Sequence, residues 1–157
     1  MKKTIIIAGL LLIACFLSAD IRDISIDGGN YTVNAGDTLR VFVNALDITE
    51  DMRVIAFQFD TYYNSELLKY IIHKPGDLFE NAMLMANGEE PGLIKVACSH
   101  WMPQIGSGTL VELIFVAQKP GETIIQFDKF KMNSTQMEHV YDASVKVLGE
   151  ELDKKNK

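Results

Sequence analysis

Between Val54 and Leu68 the chain reads V-I-A-F-Q-F-D-T-Y-Y-N-S-E-L-L. Ile55, Phe57 and Phe59 alternate there with Ala56, Gln58 and Asp60. Successive side chains of a strand point to opposite faces, so this period of two predicts a half-buried strand. Ile55, Phe57 and Phe59 are expected in the core, and Ala56, Gln58 and Asp60 on the other face. Asn64-Ser65 turns the chain and Glu66-Leu67-Leu68 starts a new ordered segment. A strand that is apolar on one side needs neighbours and a second layer to cover it.

The rest of the chain supplies them. Ile21 to Ile26 is one segment, ended by Gly28-Gly29-Asn30, and Tyr31 to Val33 is another, followed by Asn34-Ala35-Gly36-Asp37. Leu39, Val41 and Val43 alternate with Arg40, Phe42 and Asn44. Leu68 to Ile72 precedes the breaker Pro75-Gly76. Asp77 to Met85 has no clean period and is expected to make one or two helical turns. Leu93 to Cys98 reads as a strand, and His100 to Gly108 as a loop. Thr109 to Ala117, an apolar run, reads as a central strand. Thr123 to Phe130 and Val140 to Leu148 close the series. About nine short strands with turn signals near every ten residues predict an all-β antiparallel sandwich rather than an α/β sheet. A length of 157 residues suits one domain.

The ends read differently. Lys2-Lys3 precede an apolar run from Ile5 to Leu17, and Ser18-Ala19 offer small residues for cleavage. That is the pattern of an export signal, and the run is shorter than the roughly 20 residues that span a bilayer. Within it, Leu12-Ile13-Ala14-Cys15 resembles a bacterial lipobox, which would make Cys15 a lipidated N-terminus. The alternative is cleavage after Ala19. Membrane attachment is thus expected only through such a lipid. Residues 150–157 carry Lys154, Lys155 and Lys157 in a mixed-charge tail. Removal of residues 1–19 takes Lys plus Arg from 15 to 13 against 21 acids, so the net charge moves from −6 to about −8. Such a domain, with no cluster of Lys and Arg, is not expected to bind nucleic acid.

Catalytic chemistry needs convergent groups, and the sequence has no pattern that would assemble them. His73, His100 and His139 lie apart, without metal-ligand spacing. No nucleophile elbow, phosphate loop or dinucleotide fingerprint is present. Asp47, Glu50 and Asp51, and again Glu89-Glu90, lack EF-hand spacing and read as solvated loop charge rather than a calcium site. No cofactor and no metal are expected. Cys98 falls on the side of Ile94 and Val96 in its strand, which predicts a buried free thiol. Trp101 is the only Trp, with Tyr62, Tyr63 and Tyr70 as candidate companions for stacking on a sugar ring.

Several blocks resemble, in order, those of the cohesin domain family. Gly36-Asp37-Thr38-Leu39-Arg40-Val41-Phe42-Val43 is similar to its early G-D-T-V-x-V-x-V, and Phe57-Gln58-Phe59-Asp60 with Tyr63-Asn64-Ser65-Glu66-Leu67 to F-Q-F-D…Y-D-P-x-V-L. Gly76-Asp77-Leu78-Phe79 matches G-D-L-F, and Pro91-Gly92-Leu93-Ile94-Lys95-Val96 resembles P-G-x-I-x-V. Gly106-Ser107-Gly108-Thr109-Leu110 with Phe115 matches G-S-G-T-L…F, and Gly121-Glu122-Thr123-Ile124 resembles G-x-T-x-I. The likeness runs from about Ile24 to Val147.

The resemblance implies a nine-stranded sandwich of jelly-roll topology, with no catalytic activity, that binds a dockerin module on one flat sheet face. The family's contact positions for an Asn and an Asp fall on Ala56 and Gln58. In the family the strands of Ala56, Gln58 and Asp60 and of Lys95, Ala97 and Ser99 share that sheet. These six residues are therefore the expected partner-binding face. The function expected is an exported binding module at the cell envelope or outside the cell, in the setting of polysaccharide degradation. The alternatives are a carbohydrate-binding module, or a structural envelope protein without a discrete ligand.

Overall fold

The computed structural model describes residues 20–149. The expected leader with Cys15 and the tail from 150 onward lie outside the described residues. Twelve strands follow in chain order: β1 (Ser25–Asp27), β2 (Asn30–Asn34), β3 (Thr38–Ile48), β4 (Val54–Tyr62), β5 (Leu68–Pro75), β6 (Met83–Asn87), β7 (Leu93–Gln104), β8 (Gly106–Ala117), β9 (Gly121–Met132), β10 (Thr135–Gln136), β11 (His139–Tyr141) and β12 (Ala143–Leu148). Three single 3-10 turns, Ile21–Asp23, Glu50–Met52 and Asp77–Phe79, complete the ordered elements.

The strands form two sheets, one in the order β11-β1-β3-β8-β5 and one in the order β2-β12-β9-β4-β7-β6, with β10 paired to β9. β8, the apolar run of the sequence, lies between β3 and β5, and β4 lies between β7 and β9. The count is thus twelve rather than nine, and the pairing is not wholly antiparallel. β1 pairs β11 in parallel, and β2 pairs β12 in parallel. Parallel neighbours need a long connection. Here the connection is nearly the whole domain, because the first strands lie beside the last. The chain changes sheet between β1 and β2 at Gly28, where a Cβ would stand 2.7 Å from the Ala143 backbone nitrogen and 2.5 Å from the Phe127 ring. It crosses in the same direction between β11 and β12 at Asp142, whose carboxylate accepts the Phe127 N–H at 2.8 Å.

Alternation sets the core. Leu39, Val41 and Val43 of β3, Phe57 and Phe59 of β4, Ile94, Val96 and Cys98 of β7, and Val145 and Val147 of β12 are all buried. Phe59 stacks on Phe130 at 4.6 Å and meets Phe127 edge-on at 5.6 Å, while Phe57 meets Phe79 edge-on at 5.0 Å. Asn64 makes the corner after β4. Its side-chain oxygen accepts the Glu66 N–H at 2.9 Å and its carbonyl accepts the Leu68 N–H at 2.9 Å, a hydrogen-bonded Asx turn.

Two of the sequence blocks form one structural unit. Gly76 donates to the Leu110 carbonyl at 3.0 Å, and the Asp77 carboxylate accepts the Thr109 N–H at 2.6 Å. Phe79 then enters the core with no exposure. The blocks G-D-L-F and G-S-G-T are each other's hydrogen-bond partners across the start of β8.

Three expectations are corrected. Ile55 is 43% exposed, not core. A register shift lies between Val54 and Ala56 in the β4–β7 pairing, so Val54 and Phe57 point inward while Ile55 does not. Asp77 to Met85 makes one helical turn, the 3-10 turn Asp77–Phe79, but its end is not helical and enters strand β6 at Met83. The alternation of β6 is hidden in sequence because its outward residues, Met83 and Met85, are as apolar as its inward ones, Leu84 and Ala86. His100 to Gly108 is largely strand, because Gln104 pairs with Val54 and Gly106 with Ile48.

Candidate partner-binding face

The six residues expected on the outer face come together as three cross-strand pairs. Ala56 stands opposite Ser99, Gln58 opposite Ala97, and Asp60 opposite Lys95. Their neighbours along the strands, Phe57, Phe59, Val96 and Cys98, are buried, so parity alone turns these six outward. Cross-strand partners of this kind are about 5 Å apart at Cβ, close enough to form one continuous surface.

The surface is wider than the two strands. On one side β6 sets Met83 opposite Ser99, Met85 opposite Ala97 and Asn87 opposite Lys95. On the other side β9 sets Lys131 opposite Gln58 and Asp128 opposite Asp60. Lys129 is the extra residue of a bulge there, at φ 52°. Its Nζ donates to Asp60 Oδ2 at 2.9 Å, and this bond and the carboxylate charge hold the ammonium above the ordinary lysine value. A shallow depression of about 600 Å³ lies over Gln58 and Ala97, bounded by Met85 and Lys95 and by Lys129 and Lys131. A smaller one of about 210 Å³ adjoins it beside Ala56, Asn133 and Ser134.

Asn133 shapes that second edge. Its Oδ1 accepts the N–H groups of Ile55 at 2.9 Å and Ala56 at 3.2 Å, and its Nδ2 donates to the Arg53 carbonyl at 2.9 Å. The side chain thus supplies the acceptor that the bulged strand lacks, and its φ of 52° suits an Asn. Met83, Met85, Lys129, Lys131 and Asn133 were not legible as part of a face. The one signal present is spacing, since Met83 and Met85, and Lys129 and Lys131, each stand two apart in strands.

The other candidates do not come together as a second site. Cys98 lies beneath it, buried, and burial pushes its thiol up to about 12. A neutral thiol is a poor nucleophile. Iodoacetamide at pH 8 is therefore expected to leave Cys98 unmodified in the native protein and to modify it in denaturant; equal labelling in both, followed by mass spectrometry, would place the thiol at the surface.

Trp101 is 78% exposed, and its ring stacks at 5.7 Å on His100, which itself meets Phe79 edge-on. Of Tyr62, Tyr63 and Tyr70, only Tyr62 shares the outer side of this sheet, two residues past Asp60 on β4. Tyr63 and Tyr70 pack on Phe115, and the Tyr70 hydroxyl lies 2.9 Å from His73 Nδ1. Tyr62 pairs with Leu93 at the far end of β7, about 26 Å of extended strand from Trp101. No row of rings forms from these four. His73, His100 and His139 sit on β5, β7 and β11 respectively. Among the described residues, no group of three or more His, Cys, Asp or Glu side chains is placed to hold a metal ion.

Comparison with known proteins gives a consistent result. The sequence model of the Cohesin domain matches residues 24–149. No curated protein matches the chain. Among solved structures, the chain is similar to a cohesin in the Coh-OlpA–Doc918 complex, a type I cohesin–dockerin complex from Clostridium thermocellum, at 23% identity and a TM-score of 0.71, covering 80% of this chain and 99% of that one. It is similar to a non-cellulosomal cohesin from the archaeon Archaeoglobus fulgidus at 15% identity and a TM-score of 0.70, covering 82% and 93%. It is also similar to the third cohesin of ScaC, in complex with the ScaB dockerin, from Acetivibrio cellulolyticus at 15% identity and a TM-score of 0.68, covering 80% and 99%. At these identities the structural likeness speaks for the fold.

Proposed function

From the premise that this chain belongs to the cohesin domain family, whose members are non-catalytic binding modules, we propose that it binds a dockerin-like protein module through the face of β9, β4, β7 and β6. The observation that carries the reading is the assembly of Ala56, Gln58, Asp60, Lys95, Ala97 and Ser99 into three adjacent cross-strand pairs over a buried layer. A stable complex buries about 800 Å² per partner, and in this reading four neighbouring strands supply that surface together. Two of the similar structures are complexes with dockerins. The two-sheet arrangement also supports the jelly-roll reading of the strand connections.

The same proposal places the protein outside the cytoplasm. The Lys2-Lys3 start, the apolar run and Ser18-Ala19 support export, with Cys15 as the residue that would carry a lipid anchor. A setting in polysaccharide degradation is part of the same proposal and rests on the resemblance of the sequence blocks to the cohesin family alone. In this reading the module contributes by tethering a partner, and its chemistry is recognition alone.

Binding is tested with the purified protein immobilised against the secreted and envelope proteins of its own organism, and against insoluble polysaccharide. Wild type is expected to retain a dockerin-type module. Gln58→Arg, in the middle of the face, is expected to lose it, and Lys69→Glu on the opposite sheet to keep it. Retention on polysaccharide with no protein bound would overturn the reading in favour of sugar binding, where Trp101 is the candidate contact. Self-association with no partner would favour a structural envelope role.

A further inference from the structure

We infer, resting on the face proposed above, that its partner presents carboxylates around an apolar centre. The protein as a whole is acidic, with a net charge of −6. The face departs from that balance. Lys95, Lys129 and Lys131 ring the row formed by Met85, Ala97 and Gln58. Two carboxylates also stand on it, Asp60 and Asp128. Asp60 is engaged by Lys129 at 2.9 Å. Lys95 and Lys131 have no carboxylate within ion-pair distance among the described residues. Two cations thus remain unanswered on either side of the depression, and they would meet carboxylates brought by a partner.

The centre is apolar and adaptable. Met83 and Met85 are 70% and 62% exposed. Methionine is flexible and polarisable, and exposed methionines suit contact with apolar side chains of differing shape. Ala56 and Ala97 keep the floor low between them. A depression of about 600 Å³ over Ala97 and Gln58 has room for a large aliphatic or aromatic side chain. The rows from Met83 to Lys131 carry no aromatic ring, and Tyr62, which follows Asp60 on the same side of β4 near Lys129, stands singly at their edge, so the face lacks the row of rings on which a sugar or a base would stack. The occupant these features fit is a protein segment with one or two large apolar residues flanked by Asp or Glu.

Two synthetic helical peptides of about 20 residues, sharing one Leu/Phe face and flanked by Glu in one and Lys in the other, serve as probes. Each is titrated into the 15N-labelled full chain. The Glu peptide is expected to shift the amide signals of Met83, Met85, Lys95, Ala97, Gln58 and Lys131, and to bind about tenfold more weakly when salt rises from about 50 mM to about 500 mM. The Lys peptide is expected to leave them in place. In Lys95→Glu/Lys131→Glu the preference should reverse. If both peptides shift these signals equally, or the Lys peptide does so more, the charge inference falls while the face remains the binding surface. If neither peptide shifts them, or the shifts lie on the opposite sheet, the face reading fails and this inference with it.

Discussion

Phe57→Ala is expected to lower the free energy of unfolding by about 3–5 kcal/mol, whereas Gln58→Arg, its neighbour, should change it by no more than about 0.5 kcal/mol. Phe57 is 2% exposed and meets Phe79 edge-on at 5.0 Å. Truncation would remove that contact and leave a cavity between two sheets that close only partly over it. Gln58 points the other way, into the shallow depression shared with Ala97 and Lys131. Its replacement by a long cation would obstruct the face and add a fourth positive charge without touching the core. Urea denaturation reports the first quantity and partner binding the second. Equal losses of stability in the two variants would show that the two side chains do not lie on opposite faces.

Gly76→Ala is the second large effect, expected to cost about 3 kcal/mol although it adds one methyl group. A Cβ at Gly76 would stand 2.0 Å from the Thr109 carbonyl oxygen and 2.3 Å from its carbonyl carbon. Those are backbone atoms of β8, which is held by β3 and β5 on its two sides. The strand cannot move aside without breaking its ladders. The Gly76 chain must move instead, and that would pull Asp77 from the Thr109 N–H and Phe79 from the core. Gly36→Ala is the matching control for a glycine with open space around it, since a Cβ there meets nothing within 4 Å. Its φ of 90° leaves backbone strain as the only penalty, expected at about 1–2 kcal/mol. Thermal melts of both variants separate crowding from strain. A smaller shift for Gly76→Ala than for Gly36→Ala would show that the contact with Thr109 is not tight.

Both substitutions bear on how the blocks of the sequence work. G-D-L-F and G-S-G-T look like hairpin punctuation when read singly. In the fold they are two halves of one clasp, in which a glycine gives clearance, an aspartate accepts an N–H, and a phenylalanine fills the space behind. The separation of 32 positions between Asp77 and Thr109 hides that relation from any local reading. The face is similar. Its first six residues were legible because strand parity is local, and β4 and β7 run for several residues without interruption on either side of Gln58 and Ala97. Lys129 was harder to read, because a bulge in β9 turns it toward Asp60, and its one sign in sequence is the apolar spacing that widens from two to three between Phe127 and Phe130.

The amino-acid sequence by itself determined the β class, the two-layer arrangement, the turn at Asn64, the burial of Cys98 and the outward direction of Ala56, Gln58, Asp60, Lys95, Ala97 and Ser99. All of these follow from the chirality and period of an extended chain, in which each residue's side is set by its immediate neighbours. Only the tertiary structure decided where that period breaks and which strands flank which. Ile55 leaves the core because its N–H finds an acceptor in Asn133, 78 residues away. β6 is a strand because β7 offers it a free edge, and its outward methionines become part of a face for the same reason. Hydrogen-bond partners supplied by distant segments are not encoded in local periodicity, and here they determine the extent, shape and charge of the candidate binding surface.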